Sequence, residues 1–254
     1  MHQPTLRVLD ILDLLAASGG PLRLTDFNKS LEIPKSTLLP ILQTLCQRKY
    51  LYQDQNGLYR AGTALFSMGS SFSGCFPLLD YVNETLEALA AKLQETCYFG
   101  SLEDGQVLYL SKQDSPQPLR VLTDTGRRMP AYATSLGKAL LMDHGLAELQ
   151  ALYPDGLSAV TPNTITDPQL LAVQLQQART DGYTWEVEES TEHVRCFAVP
   201  VRKHGSIVAA ISVALPLFRY REEQKHTIVT ILKDRAAAIS RTVELTDAHF
   251  GELF

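Results

Sequence analysis

Residues 33 to 45, IPKSTLLPILQTL, place polar side chains at a spacing that could bind a nucleic acid. On a helix, one face would carry the apolar stripe of Leu38, Ile41, Leu42 and Leu45, and the opposite face would carry Ser36, Thr37, Pro40, Gln43, Thr44 and Gln47. Glutamine can pair in a bidentate manner with the edge of an adenine. We interpret this polar face as the side that a recognition helix turns to the major groove.

Nearby side chains extend this candidate surface. Lys35 suits a phosphate, and Arg60 offers a second phosphate contact. Thr25 is predicted to cap the preceding helix, with Asp26 in its first turn. The predicted DNA-binding residues are therefore Thr25, Lys35, Ser36, Thr37, Gln43 and Arg60. Each of them could instead be an ordinary solvated polar residue.

Pro40 is the unusual member of the polar face, because a proline inside a helix costs ~3 kcal/mol or more. Two interpretations stay open. If Thr37 is the N-cap, Pro40 is the third helical residue and its missing N–H falls in the first turn. If the helix begins at Pro34 instead, it must kink near Ser36.

A second candidate site lies in GRRMPAYATSLGKALL, residues 126 to 141. Gly126 permits a tight turn, and Thr134 is a natural N-cap. The N–H groups of Ser135 and Leu136 would then point out of a helix N-terminus, which suits a carboxylate. A capped helix with a packing glycine at Gly137 is the alternative.

The stretch EVEESTEHVRC groups Glu, His and Cys, and therefore raises the possibility of an enzyme. A cysteine hydrolase would need His193 beside Cys196 with an orienting group. A zinc site would need three or four converging ligands. Neither spacing matches a local signature of such sites, so we predict no catalytic residue, no metal and no cofactor.

Three helical segments and a hairpin must position the first candidate surface. Helices are predicted at residues 5–17, from residue 25 and after Pro34, and the hairpin turns at Asn56-Gly57. This order is that of a winged helix-turn-helix. We predict a DNA-binding domain over residues 1–72 (helix-turn-helix about 24–46, wing about 51–60), a hinge around 63–75 and a linker helix over 73–96.

Residues 97–254 are predicted to form an α+β domain with an antiparallel sheet, of the size of a ligand-sensing module. Strands are expected at CYFGSLE, QVLYLSKQ, LRVLT, YTWEVEE, CFAVPVR and IVAAISVALP. Helices are expected at SLGKALLMDH, at DPQLLAVQLQQARTDG with Asp167 as N-cap, and from about Arg221 to Thr246.

Composition narrows the class of protein. The 254 residues are 45% hydrophobic and 20% charged, as in folded domains. Residues 1–70 carry seven basic and five acidic side chains, a net of +2, whereas the remainder carries 16 and 23, a net of -7. The longest nearly apolar run has 12 residues, too short for a membrane span. With no signal peptide and four scattered cysteines, we expect reduced thiols and a cytoplasmic location.

Three stretches together resemble the isocitrate-lyase-regulator (IclR) family of bacterial transcription factors across essentially the whole chain. They are LEIPKSTLLPILQTLCQRKYL, GRRMPAYATSLGKALL and GYTWEVEESTEHVRCFAVPV. The resemblance implies a winged helix-turn-helix joined by a helix to a GAF-like effector-binding domain, assembled as a homodimer or a dimer of dimers. It also implies that an effector carboxylate is held by the amides of Ser135 and Leu136.

The resemblance further implies an effector pocket formed by Ser135, Leu136, Glu186, Cys196 and Ser212. Glu186 is at the position of a family aspartate, and Ser212 at that of the first of two pocket serines. Ala214 replaces the second serine, and Pro40 replaces an arginine that would contact DNA. These departures favour an acid with an apolar body over a small, densely polar one.

The sequence therefore predicts a DNA-binding transcriptional repressor whose affinity for a near-palindromic operator responds to a small organic acid, without membrane association. A sensor that acts through protein partners, with a degenerate helix-turn-helix, is the alternative that Pro40 keeps open. A cysteine or metal enzyme is the third.

Overall fold

The computed structural model describes residues 1–74, 77–121 and 123–245. The chain divides into two compact units, Met1–Pro77 and Leu78–Phe254. No helix within the described ranges is long and apolar enough to cross a membrane.

The first unit has three helices, a small sheet and a fourth helix. In chain order its elements are α1 Gln3–Ser18, β1 Leu22–Arg23, α2 Leu24–Leu31, α3 Lys35–Gln47, β2 Leu51–Gln53, β3 Leu58–Ala61 and α4 Thr63–Gly74. The strands are antiparallel in the order β1-β3-β2. The predicted winged helix-turn-helix architecture is confirmed.

The hairpin between β2 and β3 forms for a local reason. The Asp54 carboxylate accepts hydrogen bonds from the amides of Asn56 (2.9 Å) and Leu58 (3.0 Å), and Gly57 has a φ of 75°. A glycine adopts this left-handed conformation without steric cost. Phe27 packs edge-on against Tyr59 beneath the sheet, with ring centroids 5.9 Å apart.

The small residues of FSMGSSFSGC do not make a hinge along their length, since Thr63–Gly74 is helical. A glycine costs about 1 kcal/mol in a helix relative to alanine and a serine costs less, so this composition weakens a helix without excluding it. Two serine hydroxyls in this segment donate to carbonyls four residues earlier. Cys75, at the end of the predicted hinge, lies outside the described residues.

The second unit is built on a six-stranded antiparallel sheet in the order β6-β5-β4-β9-β8-β7. Its elements are α5 Pro77–Leu93, β4 Thr96–Glu103, β5 Gln106–Gln113, β6 Arg128–Pro130, α6 Ser135–Leu140, α7 Leu146–Leu152, α8 Pro168–Asp181, β7 Thr184–Val187, β8 Val194–Lys203, β9 Ser206–Pro216 and α9 Lys225–Leu245. The predicted α+β class with an antiparallel sheet is confirmed.

Two helices pack on the central strands. Helix α6 contacts β8, β9 and β4, and α9 contacts β8 and β9. In β8, Ala198 belongs to the core cluster that contains Leu136 of α6. Its neighbour Phe197 projects to the other face, because successive side chains of a strand alternate.

Two predicted elements differ from the structure. LRVLT forms no strand over its described residues 119–121 and 123, and Leu122 lies outside the described part. The carbonyl of Val121 instead accepts hydrogen bonds from the side chains of Thr96 and Tyr98, both at 3.2 Å. The last helix begins at Lys225 after a 3-10 turn, and Thr246 also lies outside the described part.

Candidate functional site

Helix α3 begins at Lys35, with Pro34 at the N-cap position. The amides of Thr37 and Leu38 donate to the Pro34 carbonyl at 2.9 and 3.0 Å. Of the two interpretations left open, the one with Thr37 as the N-cap is therefore wrong, and the start near Pro34 is the one observed. Pro40 is consequently the sixth helical residue, where its missing N–H leaves the Ser36 carbonyl without the usual helical donor.

The two faces of α3 are as different as the pattern predicts. Leu38 and Leu42 are fully buried and Leu45 nearly so. On the opposite face, Ser36 and Gln43 are exposed, and Thr37 at its edge is half-buried. Lys35 is also exposed, but it begins the helix seven residues before Leu42 and therefore lies beside the apolar stripe. These four residues, on one helix, form an accessible polar surface.

The two remaining predicted contacts lie on other elements. Thr25 is exposed in α2 but is its second residue, so the prediction that it caps the helix is wrong. The N-cap is Arg23, whose amide donates to Asp26 Oδ2 at 2.7 Å, so a carboxylate in the first turn does the capping. Arg60 is exposed on β3, and its guanidinium lies 3.7 Å from the Asp54 carboxylate.

The second candidate site begins where a 3-10 turn, Ala131–Ala133, meets α6. Thr134 is the N-cap, as predicted: its Oγ1 accepts from the Gly137 amide at 2.9 Å, and its carbonyl accepts from the Lys138 amide at 2.9 Å. Ser135 and Leu136 supply the two first-turn amides that these bonds do not use.

Packing holds the start of α6 in place. The Thr184 hydroxyl of β7 donates to the Ser135 carbonyl at 2.7 Å. Gly137 is required because a Cβ at this position would lie 2.2 Å from the Ala131 carbonyl oxygen. The amides of Ser135 and Leu136 are therefore held by both the preceding turn and the sheet.

A small cavity opens beside this helix start. It encloses about 20 Å³, room for one or two water molecules. Four of the five predicted effector-binding residues line it: Ser135, Leu136, Cys196 and Ser212. Met129 and Ala214 line it as well. Residues that were not predicted from the sequence also line it: Tyr98, Tyr109, Val121, Thr123, Ser190, Thr191 and Val194.

Glu186, the fifth predicted residue, lies behind the wall of the cavity. It is fully buried, accepts a hydrogen bond from the Glu189 amide (2.8 Å) and one from the Ser190 hydroxyl (3.2 Å), and contacts the Cys196 thiol. Burial raises the pKa of Glu186 above its ordinary value. Ser190 and Cys196 line the cavity, whereas Glu186 is not among the described residues that line it.

Both units of the chain match domains of one known family. A helix-turn-helix domain of the IclR type matches residues 5–55, and the domain described as bacterial transcriptional regulator IclR C-terminal matches residues 76–241. The chain is 32% identical to the HTH-type transcriptional regulator XynR of Escherichia coli K12, over 95% of this chain and 97% of XynR.

The chain belongs to the IclR family.

A second relative agrees with this assignment, and a solved structure shares the fold. An HTH-type transcriptional repressor AllR of Salmonella typhimurium is 30% identical over 94% of this chain and 89% of AllR. A crystal structure of an IclR homologue from Microbacterium hydrocarbonoxydans, complexed with 4-hydroxybenzoate, has a TM-score of 0.81 at 24% identity and covers 96% of this chain and 100% of that one. This IclR-family chain is a bacterial transcriptional regulator with an N-terminal helix-turn-helix domain and a C-terminal effector-binding domain.

The enzyme-like stretch of this IclR regulator does not assemble a cysteine–histidine pair. His193 is exposed, and its Nδ1 lies 3.3 Å from Glu188 Oε1. Cys196 contacts Glu186 and Ser135 instead, and loss of solvation raises the pKa of its thiol well above the ordinary value. Among the described residues, no group of three or more His, Cys, Asp or Glu side chains could hold a metal ion.

A buried ion pair beside the cavity was not predicted from the sequence. Lys138 of α6 is fully buried, and its ammonium donates to Glu189 Oε1, while Glu189 Oε2 accepts from the Ile165 amide at 3.2 Å. Burial lowers the pKa of Lys138, although Glu189 opposes the shift. The pair joins α6 to the segment that carries Ser190, and Lys138 also interacts electrostatically with Glu186.

Proposed function

We propose that this regulator is a repressor that binds a near-palindromic operator as a homodimer, or as a pair of homodimers, in the cytoplasm. We further propose that a small organic acid in the cavity beside α6 changes its operator affinity. The observation that carries the proposal is the combination of an exposed polar face on α3 with a cavity lined by Ser135 and Leu136, whose amides the capping bonds do not use.

Operator binding is proposed to use α3 in the major groove, with Lys35 and Arg60 on phosphates and Ser36, Thr37 and Gln43 near base edges. Thr25, at the start of α2, would add a contact to the DNA backbone. Lys35 and Ser36 are exposed at the start of α3, where the helix dipole also favours a phosphate.

Salt dependence tests the role of Lys35. Each phosphate contact contributes about one unit to the slope of log affinity against log salt. Lys35→Ala should weaken binding to every duplex and flatten the slope by about one unit. Lys92→Ala removes the same charge from α5 and is the control. Equal slopes for the wild type and Lys35→Ala would remove Lys35 from the set of phosphate contacts.

The chemistry of the cavity defines the proposed effector. The amides of Ser135 and Leu136 suit a carboxylate, and Met129, Val121 and Ala214 offer apolar surface beyond it. Hydroxyl groups of Tyr109, Thr123 and Ser212 can pair with a polar group on the ligand. The expected effector is a small acid with an apolar or aromatic body and a hydroxyl or amine away from its carboxylate.

Glu186 is proposed to affect effector binding indirectly, through residues of the cavity wall, rather than by contacting the effector itself. Its carboxyl holds Ser190 and Cys196, both of which face the cavity. Glu186→Gln should therefore reduce discrimination for the distal hydroxyl while the acid end keeps its affinity, because the backbone amides that hold the carboxylate are unchanged.

Regulation is proposed to follow from the size of the cavity. A ring-sized acid does not fit a space of about 20 Å³ unless lining side chains move. Such a ligand binds an expanded arrangement better than the one described, and this difference in affinity is what a ligand needs in order to shift an equilibrium. By linkage, operator DNA should change the affinity for the acid by the same factor.

Calorimetry with a panel of acids tests this proposal. The similar Microbacterium protein was crystallised with 4-hydroxybenzoate, so the panel includes 4-hydroxybenzoate, benzoate and 4-hydroxybenzamide. We expect at least one acid to bind and the neutral amide not to. Ala214→Ser should shift the preference toward smaller, more polar acids. Binding of no acid, or equal binding of the amide, would contradict the carboxylate site.

Assembly is tested separately, because a helix-turn-helix dimer reads two half-sites about one helical turn or a multiple apart. Sedimentation should show at least a dimer at micromolar concentration, and selected duplexes should be near-palindromic. A monomer that binds a single half-site tightly would refute the dimeric operator complex.

A sensor without operator binding is the second candidate, and Pro40 at the centre of α3 is the observation that favours it. Duplex selection with the full chain decides between the two.

We further propose that the protein is not an enzyme, since the Cys196 thiol is held protonated and contacts Glu186 rather than His193.

A further inference from the structure

The outward face of α3 has an unusual chemistry for a helix that reads DNA. Spacing of four, three and four residues aligns four of its exposed members: Ser36, Pro40, Gln43 and Gln47. From Ser36 to Gln47 the helix has no charged side chain. Guanine is most often read by Arg or Lys, which bind its O6 and N7 in the major groove. This face therefore has no side chain of the type that usually selects guanine.

Apolar surface takes the place of a cation at the centre of this face. Pro40 is exposed, and Leu39 beside it is 40% exposed. The Thr44 hydroxyl, one turn further on, donates to the Pro40 carbonyl at 2.8 Å, so it is already engaged within the helix. The outward face of α3 therefore has an exposed apolar patch, formed by Pro40 and Leu39, with Gln43 as the adjacent polar group.

The major-groove edge of each base pair limits what such a patch can recognise. Thymine alone among the four bases presents a methyl group there, and apolar side chains contact it. Gln43 can pair with N6 and N7 of adenine. Pro40 and Gln43 are three residues apart, or ~4.5 Å along the helix axis. This separation allows them to face base pairs one or two steps apart.

We propose that Pro40, with Leu39 beside it, reads the 5-methyl group of a thymine in each operator half-site. This inference rests on the proposed operator binding and adds to it a determinant of base specificity. Because Gln43 lies next to the apolar patch, the central part of each half-site should contain A·T pairs at the bases that face α3.

The test starts from duplexes that the full-length protein selects from a random library. Each thymine in the selected site is then replaced singly by deoxyuridine, which keeps the pairing edge and removes only the 5-methyl group. At one or two positions per half-site, we expect the affinity to fall about fourfold, the effect of burying one methyl-sized group. At the same positions, 5-methylcytosine should bind better than cytosine.

Variants assign the effect to its side chains. In Pro40→Ser the penalty for deoxyuridine should disappear at one position, and Leu39→Gln should reduce it. Leu9→Gln, an exposed leucine of α1, should leave the penalty unchanged and is the control. Pro40→Arg should shift the selected base at that position from thymine toward guanine. Circular dichroism checks that each variant is folded.

The outcomes separate this inference from the proposed function. If no duplex is enriched, operator binding fails and the thymine contact fails with it. If a duplex is enriched but deoxyuridine binds as well as thymine everywhere, the thymine contact alone is refuted. The thymine contact is also refuted if Pro40→Ser and Leu39→Gln keep the full penalty.

Discussion

Breaking the buried ion pair between Lys138 and Glu189 should destabilise the effector-binding unit strongly. The side chains are 0% and 7% exposed, so neither charge can regain water when its partner is removed. Removing one member of such a pair costs about 3–5 kcal/mol in the free energy of unfolding. Lys138→Met leaves a buried carboxylate, and Glu189→Gln leaves a buried ammonium while keeping an oxygen for the Ile165 amide.

The double variant distinguishes the charge pair from simple packing. With both charges gone, Lys138→Met/Glu189→Gln should be more stable than the sum of the two single losses predicts, by about 2–3 kcal/mol. Asp143 and Arg202 are a matched control pair, bidentate but with side chains 47% and 35% exposed. Asp143→Asn should cost about 1 kcal/mol or less.

Denaturant unfolding followed by fluorescence measures these values. Trp185 is the single tryptophan of the chain and lies in β7, so the signal reports on the effector-binding unit alone. Single losses below about 1 kcal/mol that add up in the double variant would mean that water reaches the pair, and the reasoning from burial would then be wrong.

Three further predictions concern the same unit and use the same unfolding measurement. Gly137→Ala should cost about 1–3 kcal/mol, because the new Cβ would meet the Ala131 carbonyl; a neutral result would show that α6 can move away. Burial raises the pKa of Glu186, so the folded state binds its proton more tightly, and unfolding free energy should fall as pH rises from about 4.5 through the raised pKa. Glu186→Gln should abolish this fall, and an identical pH profile would refute the assignment. Arg219→Lys should cost about 1 kcal/mol, because lysine cannot reproduce the two 2.6 Å bonds to the Glu95 carboxylate; full stability would show that the fork geometry is not needed.

The parts of the fold that were predicted correctly from the sequence are those set by turn residues and helix N-caps. Asn56-Gly57 indicated the hairpin, and Asp167 followed by Pro168 indicated the start of α8, where Asp167 accepts from the Gln169 amide at 2.8 Å. In each case the deciding interactions join residues within a few positions of one another. Thr134 was predicted as an N-cap for the same reason, and its bond to the Gly137 amide is observed.

The same local reasoning failed where competing partners were close in sequence. Thr25 was predicted as an N-cap and Thr37 was one of two options, but the observed N-caps are Arg23, two residues before Thr25, and Pro34, three residues before Thr37. LRVLT has the composition of a strand, yet the Val121 carbonyl bonds to side chains of β4 rather than to a neighbouring strand. The intrinsic preference of a residue type for helix or strand indicates which conformations a segment can adopt. The contacts of that segment with the rest of the fold then decide which one it adopts.

By itself, the amino-acid sequence predicted a winged helix-turn-helix unit, an antiparallel α+β unit and a helix start at Ser135 and Leu136 that suits a carboxylate. The family resemblance added Cys196 and Ser212 to this candidate site. Only the tertiary structure decided that Glu186 lies behind the cavity wall and that Lys138 pairs with Glu189, 51 residues away. Periodicity reports which face of an element is apolar, whereas the partner of a buried charge depends on contacts between elements distant in sequence.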